Sequence, residues 1–228
     1  MAKKEGELTP LMKQYWDIKS LHTDKILLFR MGDFYEIFYD DAILASPLLG
    51  ITLTQRNKKS EDQTPMCGFP HHAVAGPINK LLAAGHKVSI CDQVEDPATA
   101  KGIVKRAITR ILTPGMVFDT ETLDQTKAHY LAAIDENQIA FVDSTTGECF
   151  YFKSQQLSEK LKLLEVLPVA ELVVNDKNDS WAVELSSHYT VSEFKSPGSA
   201  PASERLYEYI KSLSNAELLQ VLRPFVER

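Results

Sequence analysis

Apolar and polar positions along the first half of the chain follow two periods in turn, which predicts strands alternating with helices. Residues 26–29 form a short, continuous apolar run of the kind that makes a buried strand. Apolar residues then recur every three or four positions from residue 38 to residue 49, which predicts a helix. We place its start near Phe34, with Asp33 as the N-cap and Glu36 completing a capping-box-like arrangement. Phe34 would then lie on the exposed first turn of that helix.

The rest of this half continues the alternation. Residues 65–72 are too rich in proline and glycine for a regular element, so we expect an irregular segment there. The order of elements predicts a mixed α/β domain over residues 1–115, followed by a linker over residues 116–126. The other predicted elements are helices near residues 10–22 and 74–84 and strands near residues 51–56, 88–91 and 105–112.

The second half begins with a different pattern, in which three apolar segments are separated by polar turn residues and predict a β-meander. Leucines at every third or fourth position then predict a helix at residues 157–167, followed by a short buried strand. This order suggests a ribonuclease-H-like domain over residues 127–228. The fold class is therefore expected to be α/β (α+β), with a mixed-sheet domain flanked by helices and then a ribonuclease-H-like domain.

Composition and charge narrow the function. The chain of 228 residues has a net charge of −6, with 44% hydrophobic and 25% charged residues, which is ordinary for a globular protein. A negative total does not fit a protein that coats nucleic acid nonspecifically. Residues 1–124 are nearly balanced, with 15 basic and 16 acidic residues, whereas residues 125–228 have 10 and 15. Any contact with nucleic acid therefore belongs to local basic patches in the first half.

The sequence also suggests a location in the cell. It contains no apolar run long enough to span a membrane and no apolar segment behind its basic N-terminal residues. Its three cysteines lack paired spacing, which is typical of proteins in a reducing compartment. We expect a cytoplasmic protein without membrane contact.

The stretch Gly-Asp-Phe-Tyr-Glu at residues 32–36 resembles the mismatch-recognition motif of the bacterial MutS-type DNA mismatch-repair proteins. Residues 127–228 resemble the connector domain of that family less closely, mainly at residues 130–134 and 143–148. Five further stretches resemble the same family in the same order, namely residues 53–56, 65–72, 90–93, 96–102 and 110–115.

The resemblance implies a function and a set of partners. In the family, Phe34 would wedge beside a mispaired base and Glu36 would hydrogen-bond to that base. The ligand would be double-stranded DNA that contains mismatches or small loops. A homodimer of the full-length protein, a MutL-type partner protein and association with the nucleoid are also implied. The sequence has no GxxxxGK[ST] phosphate loop, so we expect no enzyme activity and no cofactor in this chain. ATP and Mg²⁺ are expected only for the ATPase domain of the full-length family protein, of which this chain would be an N-terminal part.

Elementary energetics favour an aromatic wedge at such a site. Inserting a ring between base steps requires unstacking, which costs a few kcal/mol and is least costly where pairing is already defective. Stacking of a base on an aromatic ring returns roughly 1–3 kcal/mol with little dependence on base identity. A carboxylate is repelled by phosphates, so we hypothesise that Glu36 also weakens binding to matched duplex. Tyr35, which points to another side, is assigned to packing.

Other side chains are candidates for contacts that position the duplex. The basic ones could equally form a solvated face, and Met66 could equally belong to apolar packing. The candidates for contacts to the DNA backbone or groove are Arg56, Met66, Lys101, Lys105, Arg106 and Arg110.

Three alternatives belong to other functional classes. Histidines and cysteines at positions 67, 71, 72, 86 and 91 suggest zinc, but their spacing fits no zinc motif. The acidic second half could instead be a protein-interaction module without DNA binding of its own. A metal-dependent ribonuclease-H-like nuclease would use the carboxylates Asp135, Asp143, Glu148 and Glu159.

Overall fold

A computed structural model describes residues 8–56, 64–96, 98–116, 129–196, 200–213 and 216–228. The chain divides into two compact units, Met1–Ile111 and Leu112–Arg228. Of the predicted linker over residues 116–126, all but Met116 lies outside the described residues.

The first unit is built on a mixed sheet with helices packed against it. Its elements are α1 (Pro10–Lys19), β1 (Lys25–Met31), β2 (Phe34–Phe38), α2 (Tyr39–Leu49), β3 (Thr54–Arg56), β4 (Thr64–Pro70), a 3-10 turn (His71–Ala73), α3 (Ala75–Ala83), β5 (Lys87–Gln93) and β6 (Arg106–Leu112). The strands lie in the order β3-β4-β2-β1-β5-β6. Strands β1 and β5 are parallel, whereas β1 pairs with β2, β2 with β4 and β3 with β4 in antiparallel register.

Helix α1 covers one face of this sheet. Its start follows the sequence prediction, since Thr9 is the N-cap and Pro10 occupies the first helical position. Tyr15 is 1% exposed and packs edge-on against Phe29 and Phe38, with ring centroids 5.5 Å and 5.2 Å apart. Strand side chains alternate between faces, so Phe29, Phe38 and every second residue beside them face α1.

The opposite face of the sheet packs against α2. Ile37 and Cys67 are cross-strand partners on that face, and the Cys67 thiol lies 3.7 Å from the carbonyl oxygen of Ala42 in α2. Helix α2 ends as predicted at Gly50, which adopts a left-handed φ of 69°. Each face of the sheet therefore has its own apolar layer.

The helix predicted to begin near Phe34 is wrong over its first five residues. Residues Phe34–Phe38 form strand β2, and α2 begins only at Tyr39. Asp33 lies in a two-residue turn between β1 and β2 and is not an N-cap, so no capping box forms at Glu36. Backbone pairing on both sides, with β1 and with β4, overrides a weak local capping signal. The helical period that begins at residue 38 is correct.

The irregular segment predicted at residues 65–72 is also wrong, because Thr64–Pro70 forms strand β4. Proline is tolerated in a strand near its ends, where a missing backbone donor removes little pairing. Pro65 and Pro70 occupy such positions, and His71–Ala73 then forms a 3-10 turn.

The second unit is also built on one mixed sheet. Its elements are β7 (Tyr130–Ile134), β8 (Gln138–Asp143), β9 (Cys149–Lys153), α4 (Leu157–Val166), β10 (Val169–Val174), α5 (Ser180–Leu185), β11 (Thr190–Glu193), α6 (Ala202–Ser212), α7 (Ala216–Val221) and β12 (Val226–Glu227). The strands lie in the order β11-β10-β7-β8-β9-β12. The predicted meander is confirmed, because β7, β8 and β9 pair antiparallel in sequence. Strand β10 is parallel to β7, and β11 is parallel to β10. The ribonuclease-H-like class remains a prediction.

The core of the second unit combines stacked aromatic rings with the fully buried carboxylate of Glu171. Phe141 and Phe150 stack with ring centroids 5.2 Å apart and are at most 2% exposed. Glu171 on β10 is fully buried and accepts hydrogen bonds from the Tyr209 hydroxyl at 2.6 Å and from the Gly115 N–H at 3.0 Å. The Ser192 hydroxyl also donates to it. A buried carboxylate with three donors is well compensated for the loss of water.

Candidate nucleic-acid interface

Phe34 stands at a corner of the first unit's sheet. It is the first residue of β2, and its cross-strand neighbours are Met31 on β1 and Pro70 on β4. Its side chain is 44% exposed, whereas Phe29 and Phe38 on the same face are fully buried. An aromatic ring left this far open contributes little to folding, so it is free to contact a ligand.

The turn before Phe34 is held by several hydrogen bonds. Gly32 has a φ of 58°, as the first central residue of a type II′ hairpin turn requires. The carbonyl oxygen of Asp33 accepts the His71 N–H at 2.8 Å, and His71 Nδ1 lies 3.1 Å from the same oxygen. Arg30 Nε donates to the carbonyl oxygen of Gly32 at 2.5 Å. These contacts fix the backbone from which the Phe34 ring projects.

Glu36 lies two residues further along β2 and therefore on the same face as Phe34, with Cα atoms about 7 Å apart. It is half-buried between Phe29 on β1 and Gly68 on β4. Burial raises the pKa of the Glu36 carboxyl, and the positive charge of Arg56 partly opposes that rise. Within the described part of the chain, this carboxylate accepts no hydrogen bond.

Tyr35 points to the other face, as predicted, and packs there at 6% exposure. Its hydroxyl donates to Asp92 Oδ1 at 2.6 Å, and Asp92 Oδ2 accepts the Thr109 hydroxyl at 2.6 Å. Burial and the neighbouring Asp92 carboxylate raise the pKa of Tyr35 far above its ordinary value. The network ties β2 to β5 and β6 behind the exposed ring.

Arg106, a predicted contact to the DNA backbone, makes several contacts within the first unit. Its guanidinium lies over the Phe29 ring at 5.0 Å, and its Nε donates to the carbonyl oxygen of Arg30 at 2.5 Å. Its Nη1 donates to Gln14 Oε1 at 3.1 Å and to the Val104 carbonyl oxygen at 2.8 Å. Burial lowers its pKa from the ordinary arginine value. This structural role, which bridges β6, β1 and α1, was missed by sequence reasoning because the partners are distant in sequence.

Lys101 and Lys105 are exposed, in the segment that leads into β6. Both backbone polar groups of Lys105 are hydrogen-bonded. Its N–H donates to Glu95 Oε1 at 2.8 Å, and its carbonyl oxygen accepts the Val94 N–H at 2.9 Å. Both ammonium groups belong to side chains open to solvent. They remain the best placed of the predicted phosphate contacts.

The other three candidates are half-buried. Arg56 Nη1 lies 3.5 Å from the Met12 sulfur, and the Arg56 guanidinium lies 6.0 Å from the centre of the Phe38 ring. Met66 is the cross-strand partner of Phe38 and packs against the cluster under α1. Arg110 is partly covered on β6. The sheet thus brings Arg56 and Met66 to the same face as Phe34 and Glu36.

The carboxylates of the nuclease alternative hold local structure. Both oxygens of Asp143 accept hydrogen bonds from Thr145 and Thr146, and these bonds outweigh burial, so the pKa of Asp143 is lowered. Asp135 Oδ1 accepts two backbone N–H groups of the following turn. Glu159 accepts the Ser154 hydroxyl at 2.6 Å, and Glu148 pairs with Arg228. Each of these groups has a structural partner, which does not favour the nuclease.

The described residues include no group of three or more His, Cys, Asp or Glu side chains placed to hold a metal ion. Cys67 and Cys91, from the zinc alternative, are buried free thiols, and burial raises their pKa to about 11 and about 12. Among the helices in the described ranges, none is both long and apolar enough to cross a membrane.

Comparison with known proteins shows which sequences this chain is similar to. Residues 9–121 match the family model described as MutS domain I. The chain is 58% identical over 129 residues to the DNA mismatch repair protein MutS of Sorangium cellulosum, which covers 57% of the chain and 14% of the relative. The corresponding protein of Syntrophobacter fumaroxidans is 45% identical over 196 residues, with 82% and 22% covered.

A third alignment reaches into both units. The DNA mismatch repair protein MutS of Chlorobaculum parvum is 40% identical over 223 residues, which covers 92% of this chain and 25% of the relative. The chain therefore spans a quarter or less of the length of these three relatives. The family match and the identities together show that this chain belongs to the MutS family of DNA mismatch repair proteins.

Proposed function

We propose that this chain recognises mispaired or unpaired bases in duplex DNA, with the Phe34 ring inserted beside the defective pair and Glu36 hydrogen-bonded to the base. One observation carries the proposal. An exposed aromatic ring and a half-buried carboxylate with no donor in the described part of the chain lie two residues apart on one face of β2. The names of the relatives, DNA mismatch repair proteins, support the same ligand.

Insertion of Phe34 favours base steps at which the DNA duplex is easily deformed. Intact stacking resists insertion, whereas a mismatch has already lost part of the energy that insertion must overcome. The ring gains roughly 1–3 kcal/mol by stacking on a base, whichever base it is. The anchored turn at Gly32 and Asp33 means that little backbone freedom is lost on binding.

Glu36 selects against matched DNA. An ionised carboxylate near phosphates weakens binding, and a base that offers a free donor offsets the loss. Its raised pKa gives Glu36 a second mode, because the protonated acid can donate a hydrogen bond to a base acceptor. Approach of the DNA phosphates would raise that pKa further. A base in a matched pair of an intact stack offers the carboxyl group neither contact at the required position.

Lys101 and Lys105 position the duplex through its phosphates in this proposal, because both side chains are exposed. Arg106 positions the sheet. The homodimer, the MutL-type partner, the ATP-dependent steps and the nucleoid location are proposals for the whole protein. The divisions at residues 115 and 127 and the connector assignment of the second unit are likewise proposals.

An NMR titration of the 228-residue chain tests the proposal. Amide shifts are followed with a short duplex that carries one G·T mismatch and with its matched counterpart. We expect shifts around residues 32–38 with the mismatch only, and shifts around Lys101 and Lys105 with both duplexes. Equal shifts at residues 32–38 with both duplexes would contradict mismatch recognition by this strand. The Phe34→Ala variant is the control for insertion.

A further inference from the structure

Gly68 lies directly across from Glu36 in the pairing of β2 with β4. A Cβ atom added to Gly68 would overlap Oε2 of Glu36 and would lie 2.8 Å from Glu36 Cδ and 2.8 Å from the carbonyl oxygen of Tyr35. Observed Cβ atoms essentially never approach other heavy atoms within 3.0 Å. The Glu36 carboxylate thus occupies the space that any side chain at position 68 would need.

The reason for glycine here is space and not backbone conformation. Gly32 and Gly50 have left-handed φ values of 58° and 69°, which favour glycine whatever surrounds them. Gly68 is not among the glycines with positive φ, and it sits in the middle of a regular strand. Glycine inside a strand weakens pairing and often marks close approach of another group. The groups that approach Gly68 are the Glu36 carboxylate, which comes nearest, and the carbonyl oxygen of Tyr35.

We propose that Gly68 is a positioning residue for Glu36, which it holds flat across β4 by leaving room for the carboxylate. The inference rests on the function proposed above. With the buried Phe29 on one side and the bare backbone of Gly68 on the other, the carboxyl group stays half-buried beside Phe34. A side chain at position 68 would push it outward into solvent. Specificity for mismatches would then fall although Phe34 and Glu36 are both present.

The first test needs no DNA. The melting temperature is measured for the wild-type chain, Gly68→Ala, Glu36→Ala and the double variant. If Gly68 makes room for Glu36, Gly68→Ala lowers the melting temperature less in the Glu36→Ala background than in the wild type. In that background only the contact of the added Cβ with Tyr35 remains. An equal fall in melting temperature in both backgrounds, or failure of Gly68→Ala to fold both alone and combined with Glu36→Ala, would overturn the inference, because the backbone alone would then require glycine.

Gly76 supplies the matched control. It lies in α3 with no atom within 4 Å of an added Cβ, so Gly76→Ala makes the same chemical change in open space. The carboxyl carbon of Glu36 is also followed by NMR as a function of pH. We expect Gly68→Ala to lower the pKa of Glu36 towards its ordinary value, and Gly76→Ala to leave it unchanged. An unchanged pKa in Gly68→Ala would contradict displacement of the carboxylate.

The second test adds DNA and separates the inference from the function on which it rests. The ratio of affinities for G·T-mismatched and matched duplex should fall in Gly68→Ala to the value of Glu36→Ala, and Gly76→Ala should keep the wild-type ratio. If Glu36→Ala lowers the ratio and Gly68→Ala does not, the positioning role is wrong. If Glu36→Ala itself leaves the ratio unchanged, the proposed role of Glu36 is wrong, whatever the melting temperatures show.

Discussion

The two units use carboxylates in opposite ways. In the second unit, Glu171 is fully buried and Asp143 is 4% exposed, and each accepts at least three hydrogen bonds from its surroundings. In the first unit, Glu36 is half-buried but accepts no hydrogen bond from the described residues. The pKa of Asp143 is lowered and that of Glu36 is raised. When folding leaves a carboxylate without hydrogen-bond donors, a ligand can supply those donors.

The aromatic residues show the same division. Phe141 and Phe150 stack inside the second unit and are at most 2% exposed, whereas Phe34 is 44% exposed. In the first unit Phe29 and Phe38 already complete the layer under α1. Phe34 adds nothing to that layer. The comparison therefore predicts that substitutions in the second unit change stability and that substitutions at Phe34 and Glu36 change recognition.

The largest effect is expected at Glu171. The Glu171→Ala substitution removes the buried carboxylate that accepts hydrogen bonds from the Tyr209 hydroxyl, the Ser192 hydroxyl and the Gly115 N–H. A hydrogen bond to a charged group contributes about 1.5–3 kcal/mol, so the free energy of unfolding should fall by about 3 kcal/mol or more. Urea denaturation measures it. Glu36→Ala is the matched control and should cost far less, and equal losses would end the distinction between the two carboxylates.

The second largest effect is expected for Phe34→Ala, and it is an effect on DNA binding. Loss of stacking should weaken affinity for mismatched duplex by about 1–3 kcal/mol, roughly 5- to 150-fold in Kd, while the melting temperature changes little. Phe38→Ala, a fully buried ring on the same strand, should instead cost about 3–5 kcal/mol of stability. Fluorescence anisotropy with labelled duplex and thermal melts measure the two effects. A Phe34→Ala variant that is unstable but still binds would reverse the assignment.

Phe34 and Glu36 show which features of the site could be predicted from the sequence and which could not. The pair Phe34 and Glu36 is proposed from the resemblance of residues 32–36 to a family motif, and such a resemblance can be recognised without a structure. The strand that carries them is not readable, because Asp33 and Glu36 imitate a helix start and only pairing with β1 and β4 decides the conformation. The meander of the second unit was predictable from its turns.

Long-range partners account for most of what sequence reasoning missed. The sequence groups Arg106 with other basic residues, but its contacts with Gln14 and Arg30 bridge 92 and 76 positions of the chain. Gly68 contributed to the prediction of an irregular segment at residues 65–72, and its closeness to Glu36 becomes visible only once β2 and β4 are paired. Local periodicity contains no information about either pairing.

The dependence of stability on pH should differ in sign between the two units. The folded pKa of Glu36 is raised, so its contribution to stability is complete below the ordinary value of 4.5 and is lost as the pH rises through the folded pKa. The folded pKa of Asp143 is lowered, so its contribution is present above the ordinary value of 3.8 and is lost as the pH falls through the folded pKa. Unfolding free energies of Glu36→Gln and Asp143→Asn, each compared with wild type across pH, measure both.

Relative to Glu36→Gln, the wild-type chain should lose stability as the pH rises above 4.5. Relative to Asp143→Asn, it should lose stability as the pH falls below 3.8. Two difference curves with the same sign of slope would show that the carboxylates do not divide as proposed. Under the proposed function, affinity for a G·T duplex should also rise as the pH falls through the pKa of Glu36, and this rise should be absent in Glu36→Gln.

The smallest effect is expected at Arg56, and it concerns only the pKa of Glu36. The positive charge of Arg56 opposes the rise in the pKa of Glu36, so Arg56→Gln should raise that pKa further. More Glu36 would then be protonated at neutral pH, and the pH at which mismatch affinity rises should shift upward. NMR titration of the Glu36 carboxyl carbon measures the first effect and anisotropy measures the second. Lys101→Gln removes an exposed positive charge that is not among the influences on Glu36, and it should leave the titration unchanged. If both variants move the pKa of Glu36 equally, the cause is the overall charge of the unit and not the neighbouring guanidinium.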